Sequence, residues 1–248
     1  MRRFPKEFSG LLTTRGLRLL NGNSRNGCGV FKDSTAYFAN FPNLVKGELV
    51  DDCISLMDKH LYPHLAIEQR KIPPESITEM KENYEERLTK TMHINTAFFR
   101  RKDSRSYQAA EKIGLLQLMW SESFRTFAES VTGLKLKSNW TVQVTCYEQG
   151  DYAGPHNDHH PEDESVRNGF VDVHVMFAND AVAHHYLVYE EKGHFSKIVD
   201  INRRGGVSVY KLPFWHYTTP LAGKTGRETE ARRWLLLGTF DIAEGDEN

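Results

Sequence analysis

His156-Asn157-Asp158 places an imidazole and a carboxylate two residues apart. In an extended chain such residues project to the same side, so both can converge on one cation. With 11 histidines in the chain, a chance His-x-Asp is common, and the motif needs a third ligand from elsewhere. His216 supplies one, placed after a strand-like stretch at 206–212 and followed by Pro220. Two histidines and one carboxylate on one face of a metal leave three adjacent positions open. That suits Fe(II) working on oxygen beside a chelating co-substrate, whereas closed structural zinc sites leave none. A fixed cation completes the set. Arg232-Arg233 heads the last apolar strand, where an inward charge is costly without a carboxylate partner. Successive strand residues face opposite sides, so only one of the two points inward; Arg233 shares its parity with Leu235 and Leu237 and is the one chosen.

The elements that must position these residues show up as a change of period. From about 43 to 133, apolar residues recur at helical spacing: Leu49, Cys53, Leu56 and Met57, then Ile113, Leu116, Trp120, Phe124 and Phe127, with Thr132-Gly133 as a stop. Pro73-Pro74-Glu75-Ser76 reads as the start of a further helix towards Arg87. After Gly133 the period becomes two. In 139–147, Trp140, Val142, Val144 and Cys146 share one face, and Thr141, Gln143, Thr145 and Tyr147 the other. The polar face meets either a solvated pocket or bulk water, and this strand alone fits bulk water better. Similar strands are expected at 170–177, 186–189, 206–212 and 233–240, giving an antiparallel sandwich or barrel with helices packed outside.

Composition narrows the classes. The 248 residues, 39% hydrophobic and 26% charged, suit one domain over 1–248: a mainly helical support region at 1–133 and a catalytic core at 134–243. A net charge of −1 offers no global field for nucleic acid or an anionic membrane, and no apolar run is long enough to cross a bilayer. Cys28, Cys53 and Cys146 are too few and odd in number for a disulfide scaffold, so a reducing, cytoplasmic setting is expected. The Arg-rich first thirty residues faintly resemble a transit peptide but lack the apolar stretch of a secretory signal.

Cys146-Tyr147, Gly150, Tyr152 and His156-Asn157-Asp158, then Gly205-Gly206-Val207-Ser208-Val209-Tyr210, His216 with Pro220, and Arg233-Trp234-Leu235-Leu236-Leu237 together resemble the prolyl-4-hydroxylase-like branch of the Fe(II)/2-oxoglutarate-dependent oxygenases, over about 134–241. The resemblance implies an α+β chain with a double-stranded β-helix core, jelly-roll and cupin-like, and N-terminal helices packed against the major sheet. It implies that His156, Asp158 and His216 hold Fe(II), that Arg233 pairs with the distal carboxylate of 2-oxoglutarate, and that Tyr147 hydrogen-bonds this co-substrate. O2 is the oxidant and ascorbate a candidate accessory. Two departures stand out: Phe177 occupies the place of a second co-substrate tyrosine, and His184-His185-Tyr186-Leu187 the place of a glycine pair. Because Asp158 is intact, hydroxylation is implied rather than halogenation.

Tyr152, Trp215 and Tyr217 are candidates to surround the iron by position. His159, His160 and the acidic run 161–165 read as a loop, with a lid over 159–167 as the functional alternative. His174 shares a face with Asp172, opposite Val173, Val175 and Phe177, and is expected to point outward; His60, His64, His93 and His194 carry no site spacing. Arg203 and Arg204 read as turn flanks, and Arg227, in a loop, as a rival anchor for the co-substrate. The expected substrate is a small molecule, an amino acid or specialised metabolite, hydroxylated at an unactivated C–H. A peptidyl prolyl-type hydroxylase is the near alternative, and a cupin-like metal-binding protein without oxygenase activity the alternative of a different class. Neither nucleic acid nor membrane is expected as a partner, and the sequence sets no oligomeric state.

Overall fold

In the computed structural model, residues 3–22, 28–32, 35–71, 91–158, 169–202 and 204–243 are described. The alternating stretch around Val142 lies in strand β4 (Leu136–Tyr147), which pairs along its length with β13 (Arg233–Ile242); β13 pairs on its other side with β6 (Phe170–Ala178). Around this trio an antiparallel sheet of eight strands runs from β1 (Phe38–Phe41) and β10 (Val207–Leu212) through β6, β13 and β4 to β3 (Met92–Phe98) and β2 (Ala66–Arg70), with β5 (Tyr152–Ala153) also on β3. Opposite lie the ribbon β11 (His216–Thr218), β8 (Tyr186–Glu191), β9 (His194–Asp200) and the pair β12 (Ala222–Gly223) with β7 (Val182–His184). The curled sheet closed by the smaller strands is the double-stranded β-helix.

Helices α1 (Thr14–Leu20), α2 (Gly47–His60), α3 (Arg105–Lys112), α4 (Leu115–Met119) and α5 (Glu122–Thr132) cover the outer face of the large sheet. The helical spacing from Ile113 to Phe127 is thus split at Gly114 and at Ser121, and Gly133, with φ 75°, ends α5 in the left-handed region where a side chain is disfavoured. Phe124, Phe127 and Met57 pack against Val144, Val173, Val175, Phe177, Trp234 and Leu236, all fully buried. Each such side chain contributes about 1.5–3 kcal/mol on burial. Gly238 of β13 lets α5 approach: a Cβ there would lie 2.4 Å from Phe124 Cε1. No described helix is long and apolar enough to cross a membrane.

The structure departs from the expected mainly helical segment 1–133 by drawing β1, β2 and β3 from it into the large sheet. It also reverses the sidedness expected for β6. Val173, Val175 and Phe177 face the helices, while Asp172 and His174 face the barrel interior. Both faces of this sheet are covered, so the apolar face meets the helices and the polar face lines a cavity rather than solvent. Thr145 and Tyr147 of β4 are likewise buried on the cavity wall, with Gln143 half-buried, while Thr141 at the outer end of the strand is exposed. The helix read from Pro73 and the loop at 159–167 lie outside the described residues, as does Arg203.

Candidate metal and co-substrate site

His156 and His216 are brought together by the backbone. The His156 N–H donates to the His216 carbonyl at 3.0 Å and the His216 N–H to the His156 carbonyl at 2.8 Å, an antiparallel bridge that sets the two rings 4.3 Å apart. Two residues on, Asp158 adopts φ 52°, a left-handed conformation that aspartate tolerates better than most residues. Its Oδ2 lies 3.3 Å from His156 Nε2 and 3.8 Å from His216 Nε2, and one ligand atom from each of the three residues lies within 4.8 Å of the others. Adjacent ligands at about 2.1 Å from a first-row divalent metal sit roughly 3 Å apart, so a small contraction would seat such an ion.

The imidazoles are also held in the tautomer that a metal requires. His156 Nδ1 lies 2.6 Å from the Gly154 carbonyl, and His216 Nδ1 lies 2.8 Å from the Phe214 carbonyl. A carbonyl oxygen only accepts, so each Nδ1 carries the proton and donates. In the neutral ring the Nε2 lone pair then points at the shared centre, the arrangement that orients metal-binding histidines.

From this centre a cavity of about 940 Å³ extends along the inner face of the large sheet. Arg233 lies on its wall, 2% exposed, with Nε donating to the Ile201 carbonyl at 2.9 Å and the guanidinium 5.5 Å from the Tyr147 ring. No carboxylate comes within ion-pair distance of Arg233 among the described residues. Burial pulls its pKa below the ordinary value, opposed by Tyr147, Tyr210 and Asp200. Burial likewise raises the phenol of Tyr147, with Arg233 pulling the other way. A desolvated guanidinium of this kind is suited to a carboxylate ligand, which it can grip as a bidentate fork.

No family model and no curated protein matches the chain by sequence. Solved structures do match. The 2-oxoglutarate-dependent epimerase SnoN from nogalamycin biosynthesis aligns at TM-score 0.54 and 12% identity, over 92% of this chain and 83% of its own. An oxidoreductase of the 2OG-Fe(II) oxygenase family from Burkholderia pseudomallei aligns at TM-score 0.52 and 12% identity, over 93% and 91%. The chain has the fold of the 2-oxoglutarate–Fe(II) oxygenases. A prolyl-4-hydroxylase from Pseudomonas putida is also among the matches, at TM-score 0.49, 12% identity and coverage of 84% and 94%.

Within this oxygenase fold the other candidate residues sort themselves. Trp215 lines the cavity, whereas Tyr217 packs on Phe195 and Tyr152 pairs with His93 in the strand ladder. Arg227 is 41% exposed and bound to Asp180 and Glu230, so it does not compete with Arg233. Phe177 belongs to the helix-facing core; Met176 and Ala178 take the inward positions beside it, and neither offers a phenol. Of the histidine pair, His184 is exposed and His185 is fully buried 4.8 Å from the Tyr147 ring, its pKa pushed well down by burial and by Arg233. His93 makes a 2.6 Å contact with buried Asp151, which also accepts from the Glu148 N–H and so braces the turn between β4 and β5. Sequence reasoning missed Asp172, His174 and Tyr210 as parts of the cavity wall. For Asp172 and His174 the signal lies in the alternation of β6, whose polar side reads equally well as facing solvent.

Proposed function

We propose that this chain is an Fe(II)- and 2-oxoglutarate-dependent oxygenase that hydroxylates an unactivated C–H bond of a small molecule. One observation carries the reading: a two-histidine, one-carboxylate cluster with its tautomers preset shares a barrel with a buried arginine that has no carboxylate of its own among the described residues. His156, Asp158 and His216 would hold the metal, leaving adjacent positions for co-substrate and oxygen. Fe(II) bound there would supply oxygen activation coupled to decarboxylation of 2-oxoglutarate to succinate. Arg233, aimed by its bond to the Ile201 carbonyl, fixes the distal carboxylate, and the Tyr147 hydroxyl donates to the same molecule. A cupin-like metal site without oxygenase activity has no need of a buried inward arginine. The cavity volume is of the size that takes small ligands, the ground on which a small-molecule substrate is proposed.

The test is anaerobic loading with Fe(II), ascorbate and 2-oxoglutarate, read as a rise in Tm, followed by succinate release across a metabolite panel in air. His156→Ala and Asp158→Ala should each abolish substrate-dependent succinate formation with the fold retained. Undiminished turnover in either variant would refute the assignment.

A further inference from the structure

One carboxylate inside the barrel has no role in the site described above. Asp172 is 8% exposed and lines the cavity, and its Oδ1 has no hydrogen-bond partner among the described residues. Oδ2 has His174 Nε2 at 3.8 Å, too long for a hydrogen bond, and that nitrogen is itself unpartnered. Burial lowers the pKa of His174, opposed by Asp172 itself, so the protonated ring that could pair with this carboxylate is disfavoured. No lysine or arginine reaches Asp172 among the described residues: Arg233 bonds Ile201 at the far end of β13, Arg70 pairs with Glu68, and Arg100 lies over Phe98 on the exposed rim.

The register places Asp172 in the same chamber as the metal ligands. It stands opposite Thr239 of β13 and Tyr210 of β10, and the Tyr210 ring lies 5.6 Å from that of His216. Charge balance gives the missing partner its sign. Among the described buried residues of the chamber, a divalent metal and a dicarboxylate co-substrate would cancel, Arg233 would offset one of Asp158 and Asp172, and one negative charge would remain. A buried carboxylate left unpaired is costly, and a ligand that pairs it removes that cost.

We infer that Asp172 is a subsite for a positively charged nitrogen, and, on the oxygenase reading above, that the molecule oxidised is an amine or guanidine whose cationic end docks on Asp172 beside Phe170 and Tyr210. Aromatic rings next to a carboxylate form a suitable bed for an organic cation. Because Asp172 and the ligand cluster face one chamber, docking at this end holds the rest of the molecule near the metal.

The experiment compares amines with their hydroxyl counterparts on anaerobic protein loaded with Mn(II) and 2-oxoglutarate, by calorimetry: tyramine against tyrosol, benzylamine against benzyl alcohol, cadaverine against pentanediol. At least one amine should bind about tenfold or more tightly than its alcohol, the range expected when a hydrogen bond to a charged group is gained. In Asp172→Asn, checked for fold by circular dichroism, that preference should vanish. Equal binding of amine and alcohol in all three pairs of the wild-type protein overturns the inference, as does a preference that survives in Asp172→Asn. The wild-type comparison does not depend on the variant folding. The outcomes are separable from those of the functional reading: if Mn(II) and 2-oxoglutarate fail to bind while the Asp172-dependent preference persists, the oxygenase reading falls and the cation subsite stands.

Discussion

The large sheet carries two interiors, one on each face. On the helix side, Val144, Val173, Val175, Phe177, Trp234 and Leu236 are fully buried among apolar neighbours. On the barrel side the same strands present Thr145, His174, Asp172, Tyr147 and Arg233, also largely buried yet rich in polar atoms, several without a hydrogen-bond partner among the described residues. An unpaired polar atom of this kind is a cost in the empty protein. The difference therefore separates what holds the chain together from what the chain is prepared to hold. Substitutions on one face should act on stability and on the other on ligand binding.

The largest expected effect is on the barrel face. His156→Ala or Asp158→Ala should lower 2-oxoglutarate turnover by about a thousandfold or more, since the metal is required for the chemistry, while urea unfolding of the metal-free protein shifts little. A variant that lost stability and activity together would blur the division. On the helix face, Phe124→Ala should cost about 3–5 kcal/mol in denaturant melts, the range for emptying an aromatic site in a packed core, with 2-oxoglutarate affinity unchanged in the fraction that remains folded. Gly238→Ala should cost about 1–3 kcal/mol by forcing the added methyl against the Phe124 ring.

Two tests sharpen the contrast at the buried charges. Arg233→Met should abolish the rise in Tm produced by 2-oxoglutarate. It should leave the unliganded protein as stable, or more stable by about 1–3 kcal/mol, because a desolvated cation with no carboxylate at ion-pair distance among the described residues is removed. A smaller effect is expected from pH. His174 and His185 are buried with pKa values below the ordinary one, so the unfolded chain binds protons that the folded chain refuses. Stability from these groups is fully present above the unfolded histidine value near 6.5 and declines as pH falls below it. Urea melts of metal-free protein at pH 7.5 and 5.5 should show this loss, and it should shrink in His185→Phe. A loss of unchanged size in that variant would remove His185 from the explanation.

Legibility in the sequence followed the same division. His156, Asp158 and Arg233 could be singled out because His-x-Asp spacing and strand parity are local properties, whereas His216 rested on its place after a distant strand; the structure brings the three candidate ligands together with Arg233 on the wall of the same cavity. The helix-facing half of each strand was equally plain, since Val142, Val144 and Cys146 or Val173, Val175 and Phe177 alternate cleanly. What alternation does not encode is the surroundings of the polar half. A face of Asp172 and His174 has the same pattern whether it meets water or a closed barrel, and only the opposing β8 and β11 decide. Strands β1 to β3 escaped notice because they owe their place to neighbours distant in sequence, Phe38 to Tyr210 and Asn95 to Cys146, and β1 and β2 are short besides.

Each imidazole of the His156–His216 pair is tethered to the carbonyl just two residues before it, Gly154 for one and Phe214 for the other. Ring and tether belong to the same tripeptide, so a shift of the surrounding wall carries both along and leaves the aim of the lone pair untouched. The positions that shape the chamber, Thr145, Leu237 and His174 among them, can thus be recast for a new guest without retuning the aim of the two rings.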